Sequence, residues 1–193
     1  PGTDPAELAP GSSRYGGPPT LLWLGRLSRI KDPLTFVEAL TRLADLGWNA
    51  RLVGPDTSDD DVTREVRGRI AEARLTDRIK LLGPQHGAVL EASWAQTDLL
   101  VHTSRTETYG MVVSEALARG VPSIVPAGTG AEDAQAVGAS FSPGDVPALT
   151  EALRTWLTNP ELRQRWRAEA REQRRHLPTW QQTAEVVASV LTG

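Results

Sequence analysis

The sequence contains no cysteine among its 193 residues. Disulfide bonds and thiolate metal sites are therefore excluded. No apolar run reaches the roughly 18 residues that a membrane-spanning helix needs, and no segment resembles a signal peptide. The formal net charge of −3 argues against a broad nucleic-acid or membrane-surface footprint, which needs clustered basic residues. A single small anion held by a local basic cluster remains compatible with this composition.

Motifs that define several enzyme classes are also missing. The turn after the first apolar run lacks G-x-G-x-x-G, so a nicotinamide or flavin dehydrogenase loses its main support. The absence of a G-x-S-x-G elbow disfavours a hydrolase. His86 and His176 have no partner at metal-ligand spacing. The run Asp59-Asp60-Asp61 is interpreted as an acidic helix start, and no metal site is predicted.

The chain divides into a short leading segment and a domain. Residues 1–20 are rich in Pro and Gly without apolar periodicity, so they are interpreted as an interdomain linker before a domain at 21–193. Because the first residue is Pro1 rather than Met, we expect a piece of a longer protein. Short apolar runs predict strands at 21–24, 51–54, 79–83, 98–102 and 122–126. Helical patterns predict a first helix that begins at Pro33 and stops at Gly47. Further helices are predicted at 62–75, 88–96, 111–120, 145–158, 160–177 and 179–191.

Strands that are apolar throughout and alternate with helices are typical of a parallel sheet covered on both faces. We therefore predict an α/β fold with a doubly wound parallel sheet, Rossmann-like in architecture. Ligands of such sheets bind where strands end and the following helices begin. The turns between each strand and the next helix, which include 25–33, 54–61, 83–87, 103–111 and 126–133, are therefore the candidate binding regions.

The first of these turns is basic. Arg26, Arg29 and Lys31 precede the helix that Asp32 and Pro33 are predicted to open. Arginine binds phosphate oxygens in pairs, lysine supplies a mobile positive charge, and a helix start adds free N–H groups. This combination suits a diphosphate. The alternative is that these residues are solvated loop cations.

The fourth turn contains two glutamates. Glu107 lies in the loop, and Glu115 lies eight residues later, in the second turn of a helix that starts near Met111. Both carboxylates could face a ligand at the helix start and accept hydrogen bonds from sugar hydroxyls, while Gly110 permits a close backbone approach. The alternative is that Glu115 is a surface residue and that Glu107 only interacts favourably with the helix dipole. His102, just before this turn, is interpreted as a packed strand-end residue, with a position facing the cleft as the alternative.

Together these turns resemble the C-terminal domain of family 4 (group 1) glycosyltransferases, which have the GT-B fold. The shared motifs are G-R-x4-K at 25–31 and E-x7-E from Glu107 to Glu115, the latter within S-x-x-E-x-Y-G-M-V-x-x-E-A-L-A-x-G-V-P. The similarity runs over nearly the whole chain. The sequence departs from the family at 128–130, where Gly-Thr-Gly replaces the usual Gly-Gly.

The resemblance implies a role for each matching position. Arg26 and Lys31 would bind the donor diphosphate, Glu107 would lie near the transferred sugar, and these three would form the catalytic set. Glu115 would bind the ribose hydroxyls. The other implied donor contacts are mostly backbone groups: Tyr109, Gly110 and Met111 at the sugar, Met111, Val112 and Val113 at the phosphate, and Gly25, Gly54, Pro55, Gly83 and Pro84 around the nucleotide.

The resemblance also implies an activity. Such enzymes are retaining and generally metal-independent, and they transfer a hexose from a nucleotide-diphosphate sugar, which is a substrate, so that no cofactor is expected. The acceptor site would come from an N-terminal GT-B domain outside this chain, and the chain alone would be inactive. We expect a cytoplasmic location, with membrane contact only through the acceptor domain and no nucleic-acid partner. The alternatives are a non-catalytic nucleotide-sugar-binding module of the same fold, and a GT-B epimerase or phosphorylase, although no candidate lysine motif for a phosphorylase's pyridoxal cofactor is found.

One further basic region stays outside this interpretation. The run 163–175 contains six arginines interleaved with glutamates. Its simplest interpretation is a solvated charged face. A contact to the absent domain or to an anionic membrane is the alternative.

Overall fold

The computed structural model describes residues 2–55 and 61–192, and within them the chain forms one parallel sheet covered by helices. The strands are β1 (Thr20–Leu24), β2 (Asn49–Val53), β3 (Ile79–Leu81), β4 (Leu99–Val101), β5 (Ser123–Pro126) and β6 (Gly138–Phe141). The helices are α1 (Pro33–Thr41), α2 (Asp61–Glu72), α3 (Gly87–Ala95), α4 (Met111–Ala118), α5 (Gly130–Ala134), α6 (Val146–Thr158), α7 (Pro160–Gln173) and α8 (Trp180–Thr192). The predicted α/β class and parallel sheet are confirmed.

The strands follow the order β3-β2-β1-β4-β5-β6, which is the doubly wound order of Rossmann-like sheets. All five strand pairs are parallel. Alternate residues of β1 enter two different clusters: Leu21 and Trp23 pack with α1, α2 and α6, whereas Leu22 packs with α3 and α4. Both faces of the sheet are therefore buried, which explains why the strands read as continuous apolar runs.

Two elements at the far edge of the sheet were not predicted. The strand β6 and the short helix α5 follow β5, where the sequence analysis expected five strands only. In β6 only Phe141 is buried, and the other three residues are half-buried or exposed. An edge strand of this kind lacks the continuous apolar run that identified the others.

The first helix is shorter than predicted. It ends at Thr41, whereas the periodic pattern continues to Gly47. Leu43 is nevertheless buried, because the chain continues from Thr41 in tight turns. These turns are closed by hydrogen bonds from the Leu43 N–H to the Leu40 carbonyl and from the Leu46 N–H to the Leu43 carbonyl, both at 3.0 Å. The remaining predicted helices and strands agree with the structure to within a few residues at each end.

The segment before β1 packs on the domain. Its backbone N–H groups bind distant parts of the chain: Thr3 binds the Pro178 carbonyl at 2.8 Å, and Ala9 binds the Arg119 carbonyl at 2.9 Å. The Asp98 carboxylate accepts from the Ser12 N–H at 3.2 Å. The predicted role of this segment as a linker between domains stays a prediction, but residues 3–12 are held on the domain by these hydrogen bonds.

Part of the arginine run fixes this segment, which corrects the interpretation of the run as a solvated face. Arg167 forms an ion pair with Asp98 at 2.9 Å and donates to the Ala9 carbonyl at 3.1 Å. Arg174 donates to the Ala6 carbonyl. Arg163 donates to carbonyls at the end of α6. The other three arginines of the run are exposed. An arginine that binds backbone carbonyls and a solvated arginine look the same in a sequence, so composition could not separate the three bound arginines from the three exposed ones.

Candidate functional site

The topology brings the first and fourth turns together. The chain winds from β1 through β2 to β3 on one side and from β4 through β5 to β6 on the other, so that β1 and β4 are neighbours that wind apart. A crevice at the carboxyl ends of two such strands is the usual ligand site of open α/β sheets. In this chain that position corresponds to the turns 25–32 and 102–110, which follow β1 and β4.

Thr103 ties the two turns to each other. Its Oγ1 accepts from Trp23 Nε1 at 2.9 Å and lies within hydrogen-bond distance of the Lys31 and Asp32 carbonyls, at 2.9 and 2.8 Å. The Arg105 N–H binds the Ile30 carbonyl at 2.8 Å. Thr103 and Trp23 are both buried, so this polar junction is shielded from water. The backbone that presents Lys31 is thereby held against the end of β4.

The start of α1 is capped as predicted. Asp32 accepts from the Thr35 N–H at 3.2 Å and from Thr35 Oγ1 at 2.8 Å, and Pro33 occupies the first turn of the helix. Asp32 has a left-handed backbone, with φ at 49°, and also pairs with Arg105 at 2.9 Å. A left-handed aspartate is uncommon but tolerated. It turns the chain sharply after Lys31, which leaves the Lys31 side chain at the crevice.

The predicted nucleotide-side glycines lie in adjoining turns. The Gly25 N–H binds the Val53 carbonyl at 3.0 Å, and the Gly54 N–H binds the Gly83 carbonyl at 2.9 Å. Gly54 has a φ of 149°, and a Cβ there would overlap the Gly25 carbonyl oxygen. Only glycine therefore fits at this point of closest approach. Pro84 is exposed, and Pro55 is exposed with its carbonyl bound to the Leu27 N–H at 3.2 Å.

Lys31 and Glu107 are in direct contact, although 76 residues separate them. The distance from Lys31 Nζ to Glu107 Oε2 is 2.6 Å, with side-chain exposures of 33% and 17%. Burial acts to raise the pKa of Glu107, but the hydrogen bond and positive charge of Lys31 outweigh burial, so this pKa lies below its ordinary value. The site therefore contains a partly shielded ammonium and an ionised carboxylate side by side.

His102 is the third member of this cluster. It is buried, as expected of a strand-end residue, and it also faces the site, with Nε2 at 3.3 Å from Glu107 Oε2. Burial and the positive charge of Lys31 lower the pKa of His102 to about 4, against the weaker effect of Glu107. The imidazole is therefore neutral at physiological pH. His102 is therefore both a packed residue and a residue that faces the site, which the sequence analysis had treated as alternatives.

The start of α4 lies beside this cluster. Gly110, with φ at 80°, is left-handed and provides no side-chain cap for the helix. A Cβ on Gly110 would lie 2.7 Å from the Ala131 Cα, and the Gly130 N–H binds the Glu107 carbonyl at 2.9 Å, so the fourth and fifth turns are packed together. The Gly110 N–H stabilises the Glu107 anion. An uncapped helix start presents free N–H groups and a partial positive charge to an anion.

Glu115 lies in the second turn of α4 and is half-buried. Burial raises its pKa, and the positive charge of Arg119 opposes this only in part. Arg119 itself pairs with Glu91 at 2.5 Å and donates to the Glu115 carbonyl rather than to its carboxylate. In the described part of the chain Glu115 thus has no ion-pair partner, unlike Glu107.

The remaining predicted residues are placed but not joined to this cluster by side-chain bonds. Arg26 is exposed next to Gly25, and no acid within residues 2–55 and 61–192 pairs with it. Tyr109 and Val112 are half-buried, Val113 is buried, and the Met111 side chain is 38% exposed. Asp59 and Asp60, with most of the turn 54–61, lie outside the described residues. The ligand roles of all these positions stay predictions.

Among the described residues, no group of three or more His, Asp or Glu side chains could bind a metal ion. None of the helices described here is both long and apolar enough to cross a membrane.

Glu132, near the Gly-Thr-Gly segment, accepts from the Gly128 N–H at 2.7 Å and so closes its own turn.

The fold and the position of this cluster define the class of the protein: a Rossmann-like α/β domain with a charged cluster at its switch point. Residues 6–173 match the family described as Glycosyl transferases group 1, and the chain belongs to this family. It is 31% identical over 203 residues to the D-inositol 3-phosphate glycosyltransferase of Stackebrandtia nassauensis, covering 96% of this chain and 46% of that protein.

Solved structures give the same fold. Sucrose-phosphate synthase from Thermosynechococcus elongatus superposes with a TM-score of 0.83 at 24% identity, covering 99% of this chain and 51% of that one. HepE from Anabaena, in complex with UDP and glucose, superposes with a TM-score of 0.81 at 22% identity, covering 94% and 50%. The chain thus spans about half the length of the relatives it matches. The predicted family and GT-B-like domain are confirmed.

Proposed function

We propose that this chain is the donor-binding half of a retaining glycosyltransferase that moves a hexose from a nucleotide-diphosphate sugar to an acceptor. The observation that supports this most is the contact between Lys31 and Glu107, at 2.6 Å, where β1 and β4 diverge. A cation and a carboxylate at this edge match the two needs of a sugar nucleotide, a diphosphate charge and sugar hydroxyls.

The diphosphate binds between two sources of positive charge. Lys31 supplies an ammonium on one side, and the uncapped start of α4 supplies the N–H groups of Met111 and Val112 on the other, since the Val113 N–H already binds the Gly110 carbonyl at 2.8 Å. Arg26 is exposed in the same first turn and free of acidic partners in the described residues, so it can turn to the diphosphate. Positive charge fixed in this way stabilises the anion that builds up on the leaving group.

The sugars bind through the two glutamates. Glu107 accepts from hydroxyls of the transferred sugar, and Glu115, half-buried without an ion pair in the described chain, accepts from the ribose. The base lies over the turns at Gly54 and Gly83, where the Gly54 N–H and the Gly83 carbonyl join the two strand ends. Close backbone packing at Gly54 leaves no room for a side chain at this point.

In the reaction, the bond between the anomeric carbon and the diphosphate oxygen breaks, and its electron pair stays on the diphosphate. An acceptor hydroxyl forms the new bond on the same face of the sugar, and its proton passes to the departing diphosphate. Interactions that strengthen as the charge develops, such as those of Lys31, lower the barrier. No divalent ion is required by this scheme.

The acceptor site belongs to a domain outside this chain. Without it we expect weak nucleotide binding and little or no transfer. We also propose a cytoplasmic location, with any membrane contact made through the acceptor domain.

Isothermal calorimetry of this chain with UDP, GDP and ADP tests the proposal. We expect at least one of them to bind with a dissociation constant in the millimolar range or below. Circular dichroism of the same sample verifies the fold, and a folded chain that binds none of the three at millimolar concentration contradicts the proposal. Transfer by a protein that contains both domains separates an enzyme from a non-catalytic module.

A further inference from the structure

His102 is a buried polar residue whose outer nitrogen has no hydrogen bond of good geometry. Its side chain is 4% exposed, and Nε2 approaches Glu107 Oε2 to 3.3 Å without the angles of a hydrogen bond to any described atom. Buried polar atoms without a partner are uncommon in native proteins. Here the atom faces the carboxylate that lies nearest the transferred sugar in the proposed function.

We propose that His102 is a positioning residue that orients the Glu107 carboxylate toward the donor sugar. The proposal rests on the proposed function. Glu107 Oε2 is approached from two directions, by Lys31 Nζ at 2.6 Å and by His102 Nε2 at 3.3 Å. With this oxygen held, rotation of the carboxylate is restricted, and Oε1 is left to accept from a sugar hydroxyl.

The neutral imidazole suits this role. A neutral ring has one N–H, and placing it on Nε2 directs a donor at the carboxylate, whereas the other tautomer would direct a lone pair at an anion. A neutral donor also adds no charge, so it does not compete with Lys31 for the diphosphate. His102 directly follows β4, and the neighbouring Thr103 is tied to the first turn, so the imidazole rests on a rigid support.

The arrangement matters most once the donor is bound. When the diphosphate takes over Lys31, Glu107 loses its closest cation and would be free to swing. His102 remains at the same oxygen because it is fixed in the core. The sugar-binding oxygen of Glu107 then keeps its position while Lys31 pairs with the diphosphate.

The test compares nucleotide with nucleotide sugar on this chain. Dissociation constants are measured for UDP and UDP-glucose, and for GDP with GDP-mannose and ADP with ADP-glucose, using the pair that the unmodified chain binds best. For His102→Leu we expect the ratio of sugar-nucleotide to nucleotide affinity to fall about tenfold, because Glu107 loses the hydrogen bond that Nε2 completes once Lys31 turns to the diphosphate, with nucleotide affinity within about twofold.

Two conservative variants separate positioning from packing. The amide nitrogen of His102→Gln lies near the place of Nε2 and restores most of the ratio, whereas His102→Asn is too short and does not. An unchanged ratio in His102→Leu, an equal loss for nucleotide and sugar nucleotide, or equal behaviour of Gln and Asn overturns the proposal. Failure of the unmodified chain to bind any nucleotide contradicts the proposed function instead.

A second measurement needs no nucleotide. The 15N shifts of the His102 ring in the free chain report which nitrogen is protonated. We expect the neutral tautomer with the proton on Nε2 from about pH 8 down to about pH 5, in keeping with a pKa of about 4. A proton on Nδ1 over this range overturns the proposal, because Nε2 then cannot donate to Glu107.

Discussion

Lys31 and Glu107 form an ion pair at the residue scale, so under the proposed function donor binding exchanges one ion pair for another. The exchange is feasible because both side chains keep some exposure, 33% and 17%, and the start of α4 lies next to them. A diphosphate offers several anionic oxygens, and the helix start can bind those that Lys31 does not reach. The affinity of the site is thus the difference between two sets of charge interactions.

The chain offers a matched pair of lysines to test this exchange. Lys31 and Lys80 are its only two lysines, and Lys80 is exposed on β3, where it donates to the Thr76 carbonyl at 2.9 Å. We expect Lys31→Met to raise the dissociation constant for a nucleoside diphosphate about 10- to 100-fold, the range for a charged hydrogen bond. Lys80→Met, measured by the same calorimetry, leaves it unchanged. Equal effects of the two substitutions contradict the assignment of Lys31.

Glu115 separates stability from binding. Burial raises its pKa, so ionisation of Glu115 opposes folding. We therefore expect Glu115→Gln to raise the midpoint of thermal unfolding slightly while lowering nucleotide affinity about tenfold through the lost ribose contact. Glu151→Gln, at an exposed position of α6, is the control and changes neither. A loss of both stability and affinity in Glu115→Gln contradicts this account.

The turns at the carboxyl edge depend on close backbone packing. Gly54 is the tightest point, because its φ of 149° and its contact with the Gly25 carbonyl leave no room for a Cβ. We expect Gly54→Ala to destabilise the chain by about 3 kcal/mol, since strain and overlap add. Gly68, within α2, has open space around its Cβ position, and Gly68→Ala is expected to stabilise by about 0.5–1 kcal/mol. Urea unfolding of both variants tests the contrast, and similar changes in the two contradict it.

Sequence patterns predicted the central elements better than the peripheral ones. Strands buried on both faces, such as β1 and β5, have continuous apolar runs, so their positions follow from periodicity. The edge strand β6 has no such run. The Pro- and Gly-rich segment at 2–12 is held by backbone hydrogen bonds and by the Asp98 carboxylate, which composition does not reveal.

The same limit applies to the site. That Lys31 and Glu107 lie at one edge of the sheet could be predicted from the order of strands and helices, but their contact depends on side-chain conformations across 76 residues. His102 had a usable signal, a polar residue at the last position of an apolar strand, five residues before Glu107. Its burial and its contact with Glu107 became visible only in three dimensions.

At the scale of the whole molecule, His102 makes the stability of the chain depend on pH between about 4 and 6.5. Its pKa is about 4 in the folded chain, against 6.5 ordinarily, because of burial and the facing ammonium of Lys31, with the Glu107 carboxylate opposing. Between pH 6.5 and 4 the unfolded chain therefore binds a proton that the folded chain does not. Stability is fully present above pH 6.5 and falls by about 3 kcal/mol as the pH drops to 4.

The variant His102→Gln isolates this effect, since glutamine does not titrate. We expect the free energy of unfolding, measured in urea at several pH values, to decrease less steeply below pH 6.5 in the variant than in the unmodified chain. Glu107, whose lowered pKa adds a loss of stability only below about pH 4.5, is common to both. Parallel curves for the two proteins contradict the assignment of a buried neutral histidine.

A crystal structure of this chain with the nucleoside diphosphate that it binds best is the most direct test of the proposed function. The account predicts the pyrophosphate between Lys31 Nζ and the first N–H groups of α4, with the Lys31–Glu107 contact opened and Glu115 at the ribose. A pyrophosphate bound anywhere else on the molecule, with Lys31 still paired to Glu107, contradicts it.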